Sequence, residues 1–583
     1  MRLFALLALA AALTAPALAD PAGDFEALVA EYEAFTEERN VTARARRGDL
    51  EAAAQWPDSS LEAVTSWDEA MAGFDARIDA IDPADLSDRH QASYAVLAYL
   101  LDSAVAIPRA RTAMTPFTND SGFHTSPGFS ALTTRVRSVA EAEAWITKIN
   151  ALPEYFAQHQ AWLERGIETG WTQPREILQG VADQIEAQIV PAEDSQLLTP
   201  IANLPATIDA AERERLRAGA LDAIETAALP ALRSIHAFFT ETYMPAARET
   251  LGARSLPGGD DFYRALVRQH TTLDLTPEEV HQTGLEEVAR IRAEMDLVIA
   301  ETGFEGSFAE FLDFLRTDEQ FYADSELELM MVASYLSKKA DDAMPAFFNN
   351  LPRLPYGVRP VPAAIAPNYT TARYWPGDAE TGQAGGYMVN TYRLDQRPLY
   401  EMPALTVHEA VPGHHHQVAI AQELENVPEF RKQTYITAFG EGWALYTEFL
   451  GQEMGMYSTP YEHFGRLTYE MWRACRLVVD TGIHWYGWSR EEAEACFLEN
   501  SALAPFNIRN EVSRYISWPG QALAYKTGEL LIRELRAEGE AALGADFDLA
   551  GFHDRILDEG GVPLAYMEAK MRDWLAEQAG DAG

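Results

Sequence analysis

Cysteine is almost missing from this sequence, which has only two in 583 residues, Cys475 and Cys496. A small scaffold held together by several disulfides is therefore excluded. One bridge between the two is possible, but their spacing alone does not decide it. Because the sequence has no Cys-x-x-Cys pair, any metal must be bound through histidine and carboxylate side chains.

Positive charge is also scarce. The chain has 46 Lys and Arg against 89 Asp and Glu, a net charge of −43. Such a surface repels the phosphate backbone of nucleic acids, so nucleic acid is not expected as a partner. The same charge attracts cations and favours solubility, but it carries no information about the fold.

Long apolar runs are missing except at the start of the chain. Arg2 precedes an apolar run from Leu3 to Leu13, and the small residues Ala17-Leu18-Ala19 follow. This pattern predicts a cleavable signal peptide over residues 1–19, with export of the mature chain to the periplasm or the medium. A buried N-terminal helix is the alternative. The run is too short to span a bilayer and no cysteine follows it, so we expect no membrane anchor after cleavage.

Helical periodicity dominates residues 20–583. The segment Thr276-Pro277-Glu278-Glu279 is typical of a helix start, with a capping Thr, a Pro in the first turn and acids near the positive end of the helix dipole. Apolar residues three or four apart continue it from Leu285 to Met295. There is no repeat and no long linker. We therefore predict a single, mainly α-helical domain over residues 20–583.

One segment departs from the helical pattern. Residues 385–392, Gly-Gly-Tyr-Met-Val-Asn-Thr-Tyr, combine glycines with aromatic and branched residues, which is typical of a strand. Two interpretations are open. The strand could be an exposed edge that pairs with an extended peptide, or it could belong to an ordinary hairpin.

The candidate chemistry lies in the part of the chain from about 360 to 530. Four of the 13 histidines fall within nine residues, in His408-Glu409-Ala410-Val411-Pro412-Gly413-His414-His415-His416. Imidazole is a common metal ligand, and a Glu directly after the first His is typical of zinc peptidases, where it acts on the attacking water. The sequence therefore predicts a zinc site with one Zn²⁺ per chain, His408 as a ligand and Glu409 as the general base.

The spacing differs from the usual His-Glu-x-x-His motif. His414 follows His408 by six residues, which on an unbroken helix means about 240° around and about 9 Å along the axis. Two ligands of one zinc ion place their nitrogens about 3–4 Å apart. The helix must therefore be interrupted at Pro412-Gly413. We predict His414 as the second ligand, with His415 and His416 as alternatives.

A carboxylate is the expected third ligand. Glu441 is followed by a helical segment and has a glycine on either side, which lets another part of the backbone approach it. We predict Glu441 as the ligand. Glu448 is seven residues further along the same helix face and could support the site from behind.

Two further segments carry candidates for binding the oxyanion or the substrate. Arg476, Asp480 and His484 are four residues apart on one predicted helix face, so Asp480 could orient a charged His484; a structural ion-pair ladder is the alternative. Tyr515 could donate to an oxyanion. Arg514 or Lys526 could bind the terminal carboxylate of a peptide, although a packing or surface role is the favoured alternative for each.

These segments also carry a resemblance. The chain resembles, over nearly the whole mature sequence, the bacterial family known as domain of unknown function 885. Five blocks occur in the order of that family, including the Pro-Gly insertion: residues 386–392, 408–417, 441–446, 476–484 and 519–522. The family in turn is similar to peptidases of the thimet oligopeptidase and angiotensin-converting-enzyme type.

The resemblance implies a fold and a function. It implies a large two-lobed helical shell around a deep active-site cleft, with a small β-sheet near the metal. It also implies His408, His414 and Glu441 as metal ligands and Glu409 as the base. We therefore expect an exported zinc peptidase acting on short peptides, in which Glu409 takes a proton from water and passes it to the leaving amine while His484 or Tyr515 stabilises the oxyanion.

Two other functions are compatible with the same residues. Two histidines and one carboxylate also suit Fe(II), so a non-haem iron enzyme is one alternative. A non-catalytic metal-binding or peptide-binding protein is the other. Glu409 argues against the second, because a pure binding site needs no base next to its ligand.

Overall fold

The computed structural model describes residues 20–363 and 365–581. The predicted signal peptide, residues 1–19, lies outside these residues. Within the part of the chain that is described, no helix is both long enough and apolar enough to cross a bilayer.

Helices make up most of the described chain, as predicted. In chain order, the α-helices of the first half are α1 Pro21–Arg39, α2 Val41–Arg46, α3 Leu50–Ala53, α4 Leu61–Ile78, α5 Asp88–Ala106, α6 Arg109–Thr112, α7 Ser126–Thr133, α8 Val139–Asn150, α9 Leu152–Thr169, α10 Arg175–Glu186, α11 Thr199–Ala202, α12 Ala210–Ala223, α13 Leu229–Phe238, α14 Met244–Ala246, α15 Gly259–Thr271, α16 Pro277–Thr302, α17 Phe308–Thr317 and α18 Glu326–Ala343. The remaining ones are α19 Met402–Glu409, α20 His414–Gln422, α21 Glu429–Gln433, α22 Thr437–Leu450, α23 Pro460–Thr481, α24 Arg490–Asn500, α25 Pro505–Ser517, α26 Ala524–Leu543, α27 Leu549–Leu557 and α28 Leu564–Asp581.

The predicted start of α16 is confirmed. The Thr276 side chain accepts a hydrogen bond from the Glu279 N–H, and the Glu279 carboxylate accepts one from the Thr276 N–H. This reciprocal capping satisfies two backbone donors that the first turn would otherwise leave unpaired.

A small three-stranded sheet interrupts the helices. Its strands are β1 Tyr356–Pro360, β2 Ala372–Trp375 and β3 Gly385–Val389, in the order β1-β3-β2. β3 pairs in parallel with β1 and antiparallel with β2, and Tyr387 lies opposite Tyr374 in the second pair. The fold is thus mainly α with a small sheet, as expected.

The strand predicted after Gly385 is confirmed as β3, but the interpretation of it as an exposed edge is wrong. All five residues of β3 are buried, and both of its edges are already paired. β2, which precedes it in the chain, is the edge strand on the side of the candidate site.

Most of the buried apolar side chains form two large clusters. One contains residues of the middle of the chain together with α23 to α25, such as Phe239, Phe311 and Leu467. The other joins the N-terminal helices to the sheet, α19, α22 and the C-terminal helices, with Phe25, Tyr387, Trp443 and Met567 among its members. The histidine-bearing segment belongs to the second cluster, so its ligands project from a packed framework.

The two cysteines lie close together. The Sγ atoms of Cys475 on α23 and Cys496 on α24 are 2.6 Å apart. Sequence spacing gave no indication of this proximity, because it depends on how α24 folds back against α23.

Candidate metal centre

The predicted interruption of the histidine helix is present. α19 ends at Glu409, and α20 begins at His414. Gly413 packs so tightly that a Cβ at this position would overlap with the carbonyl oxygens of Val407 and His408. The Pro412 carbonyl accepts a hydrogen bond of 2.7 Å from the Trp443 indole, which fixes the loop to α22. The loop therefore turns α20 back towards α19.

This turn brings the three predicted ligands together. The Nε2 atoms of His408 and His414 lie 3.5 Å and 3.4 Å from Oε2 of Glu441. The two imidazole rings are nearly perpendicular, at 89°, with their centroids 4.8 Å apart. Each of the three residues offers one possible ligand atom, and these three atoms all lie within 4.8 Å of one another. These separations suit three ligands that converge on one ion with bonds of about 2 Å.

Glu448 supports His408 from behind, as the sequence suggested. Its Oε1 lies 2.7 Å from Nδ1 of His408. Since a carboxylate accepts only, Nδ1 carries a proton in this contact, which leaves Nε2, on the side of Glu441, as the nitrogen that can bind a metal. The Thr447 hydroxyl donates to the Val407 carbonyl at 3.0 Å, which fixes α22 against α19 at the same level.

The charges of the centre favour a cation. Burial alone would lower the pKa of His408, but hydrogen bonds to Glu441 and Glu448 outweigh it and raise that pKa to about 9. Burial would likewise raise the pKa of Glu441, but the positive charges of His414 and His408 hold it well below its usual value. Glu441 and the buried Glu448 thus bring negative charge to the imidazoles, and a divalent metal would balance it. The donor set of two nitrogens and one oxygen fits Zn²⁺.

Glu409, the predicted base, lies next to the ligands but is held separately. Its Oε2 accepts a 2.7 Å hydrogen bond from the Tyr374 N–H of β2. No donor within the described residues reaches its Oε1. The residue keeps 8% of its surface exposed. One carboxylate oxygen is therefore fixed by the sheet, and the other is available to a water molecule or a substrate.

His415 and His416 point away from the centre. Nδ1 of His415 lies 3.1 Å from the Tyr374 hydroxyl, and its Nε2 lies 2.9 Å from the Leu354 carbonyl. Nε2 of His416 lies 3.1 Å from the Asn350 carbonyl. Burial lowers the pKa of each imidazole to about 4. Both are neutral structural residues, so His414 is the histidine that meets His408.

His484 does not have the environment that was predicted for it. The side chain is fully buried, Nε2 lies 2.9 Å from the Tyr515 carbonyl, and Nδ1 accepts a 3.1 Å hydrogen bond from the Ala253 N–H. Burial lowers its pKa to about 3, so it is neutral. The prediction that His484 binds an oxyanion is therefore wrong, because both ring nitrogens are already used. Asp480 bonds to the Tyr263 hydroxyl and the Gly520 N–H instead of to His484.

The hydroxyl of Tyr515 is also occupied by hydrogen bonds to other side chains. The residue lies within α25 and is only 1% exposed. Its hydroxyl donates to Glu511 at 2.7 Å and accepts from Arg476 at 2.8 Å and from the Trp472 indole at 2.9 Å. With its donor and acceptor positions occupied, Tyr515 cannot bind an oxyanion as predicted.

Sequence reasoning missed Tyr435. This residue lies just before α22, and its hydroxyl lies against Gly440, the neighbour of Glu441. The residue as a whole is 48% exposed. Burial around the hydroxyl and the negative charge of Glu441 hold the pKa of Tyr435 well above its usual value, so the phenol stays protonated. The only signal in the sequence was its position shortly before Gly440-Glu441-Gly442.

Comparisons with known proteins agree with this fold. The family model described as "Bacterial protein of unknown function (DUF885)" matches residues 42–571. No curated protein matches the chain. A "putative lipoprotein" from Colwellia psychrerythraea has a solved structure with a TM-score of 0.86 and 26% identity, covering 95% of this chain and 100% of its own. A "putative lipoprotein of unknown function" from Shewanella oneidensis has a TM-score of 0.74 at 17% identity, with 95% and 100% coverage, and shares the fold.

Proposed function

The chain belongs to the bacterial DUF885 family, and we propose that it is an exported zinc-dependent peptidase acting on short peptides. The observation that carries this proposal is the meeting of His408, His414 and Glu441, with Glu409 directly beside them. The solved structure of the Colwellia relative, called a lipoprotein, supports export. The resemblance to thimet oligopeptidase and angiotensin-converting enzyme supports peptide hydrolysis as the reaction.

Each residue of the centre has a separate role in the proposed hydrolysis. A zinc ion held by His408, His414 and Glu441 would supply a Lewis acid for the water and the peptide carbonyl. Glu409 takes the proton of the attacking water on its free Oε1 and returns it to the leaving amine. The Tyr374 N–H holds the other oxygen, so the base stays in place through both transfers. Glu448 holds a proton on Nδ1 of His408, which leaves Nε2 as the nitrogen that can bind the metal.

The sheet offers a place for an extended peptide. β2 is an edge strand, and its Tyr374 N–H points away from β3 towards Glu409. A peptide laid along this edge runs past the base, so main-chain hydrogen bonds would bring successive carbonyl groups to it. This arrangement favours a flexible peptide over a folded protein as substrate.

We assign the oxyanion donor to Tyr435, whose protonated phenol lies against Gly440, the chain neighbour of Glu441. Tyr435→Phe is expected to lower kcat by about 10²-fold and to leave KM nearly unchanged, because the bond forms chiefly in the transition state. Tyr486→Phe is the matched control, since Tyr486 is also 48% exposed but belongs to the segment after α23. An equal kcat for the Tyr435 variant and the wild type would contradict the assignment of Tyr435 as the oxyanion donor.

A digest of a mixed peptide library by the zinc-loaded protein tests the function itself. Mass spectrometry should detect new, shorter peptides. An unchanged library after long incubation would contradict the proposal.

A further inference from the structure

Two arginines share one carboxylate partner. Arg476 on α23 and Arg514 on α25 both bond to the same oxygen of Glu511, with Nη2–Oε2 distances of 3.2 Å and 3.0 Å. Asp480, one turn beyond Arg476, directs its carboxylate to the Tyr263 hydroxyl and the Gly520 N–H. We call Arg476 and Arg514 the arginine pair. Among the described residues, Glu511 is the one carboxylate that forms an ion pair with the arginine pair.

Part of the pair's hydrogen-bonding capacity is unused. Arg476 is only 3% exposed, and its Nε donates to the Tyr515 hydroxyl at 2.8 Å. Within the described residues, its buried Nη1 has no acceptor, and neither has Nε of Arg514. A buried guanidinium nitrogen without an acceptor is costly, so the arrangement suits an additional anion. The Arg514 side chain keeps 23% of its surface and gives the pair access to solvent.

Tyr525 links the pair to α26, the helix that packs on the Glu441-bearing helix α22. The guanidinium of Arg476 lies 4.4 Å from the centroid of the Tyr525 ring, in the first turn of α26. α26 packs directly on α22, because a Cβ on Gly442 would lie 2.5 Å from the Gly528 Cα. The two helices run in the same direction, since Arg536, further along α26, reaches the Tyr446 hydroxyl further along α22. In α26, Tyr525 lies three residues before the contact at Gly528. In α22, Glu441 lies one residue before the contact at Gly442.

From this geometry we infer that the arginine pair binds the carboxyl-terminal carboxylate of a peptide substrate, an inference that rests on the proposed peptidase function. A planar guanidinium with free N–H groups matches a carboxylate better than any other peptide group. Lys526, the other cation suggested by the sequence, is not available, because it is fully buried and ion-paired with Glu287, Glu470 and Glu529. Anchoring of the terminus would confine cleavage to the carboxyl end of short peptides.

Binding to the Glu409→Gln variant tests the subsite without depending on turnover. Two short peptides of the same sequence, one with a free carboxyl terminus and one with a terminal amide, would be titrated calorimetrically. We expect the free acid to bind about tenfold more tightly or better, as is typical for a charge-assisted hydrogen bond.

Substitutions identify the group responsible for this preference. Adding Arg514→Gln should bring the ratio of the two Kd values close to one. Adding Arg490→Gln, which removes a guanidinium of similar exposure (22%) that pairs with Glu176 and Glu494, should leave the ratio unchanged. Equal binding of acid and amide, no binding of either, or a preference that survives Arg514→Gln would overturn the inference. If the Glu409→Gln variant prefers the free acid and Arg514→Gln abolishes that preference, but the wild type hydrolyses no peptide, only the peptidase function would be contradicted.

Discussion

Replacing Glu409 by Gln is expected to leave zinc binding intact and to lower kcat by about 10²–10⁴-fold. The amide is isosteric and can still occupy the position opposite the Tyr374 N–H, but it cannot accept a proton from water. The metal ligands, their distances and the bond from Glu448 to His408 are unaffected by this change. The loss should therefore appear in turnover and not in metal content.

Metal analysis and peptide hydrolysis measured on the same sample separate these two quantities. Glu401→Gln is the matched control, because Glu401 is buried to the same degree (7% against 8%) but contacts Tyr469 instead of the centre. Full activity in the Glu409 variant would exclude it as the base. Loss of the metal in this variant would mean that the carboxylate acts as a ligand.

Replacing a predicted metal ligand should instead lower the metal content together with the turnover. His414→Ala and Glu441→Gln are expected to reduce bound zinc from one per chain towards none, and activity should fall with it. Each change removes one of three donors, and the neutral amide at 441 also removes the negative charge that favours a cation. Because a ligand that binds only the folded state raises its stability, zinc should increase the melting temperature of the wild type but not of these variants.

The adjacent histidines provide the matched controls for this experiment. His415→Ala and His416→Ala alter the same first turn of α20, but these imidazoles bond to Tyr374, Leu354 and Asn350 and not to the centre. Both variants should keep one zinc per chain, even if they unfold at a lower temperature. A His414 variant that retains zinc, or a His415 variant that loses it, would show that the wrong histidine has been assigned.

The convergence of His408 and His414 could be predicted from the sequence because helical geometry is regular. Two histidines six positions apart on an unbroken helix cannot bind one ion, so the interruption at Pro412-Gly413 follows from the geometry of the helix. The same reasoning predicted the capped start of α16 and the mainly helical fold.

The failures have a common physical origin. Spacing shows which residues share a helix face, but it does not show what packs against that face. His484 and Tyr515 are candidates by residue type, yet neighbouring segments occupy their polar atoms. The order β1-β3-β2 likewise places the predicted strand in the centre of the sheet, because strand order is set by tertiary pairing. Tyr435 was overlooked because its contact with Gly440 depends on the turn that leads into α22.

The rate of peptide cleavage as a function of added zinc tests the central claim most directly. The purified protein would be stripped with a chelator, resupplied with increasing zinc or with Fe(II), and incubated with the mixed peptide library under mass-spectrometric readout. We predict no cleavage by the stripped protein and a rate that rises with zinc and saturates at one equivalent per chain. Cleavage that survives complete stripping, no cleavage at any zinc level, or oxygen-dependent turnover with Fe(II) alone would contradict a zinc peptidase built on His408, His414 and Glu441.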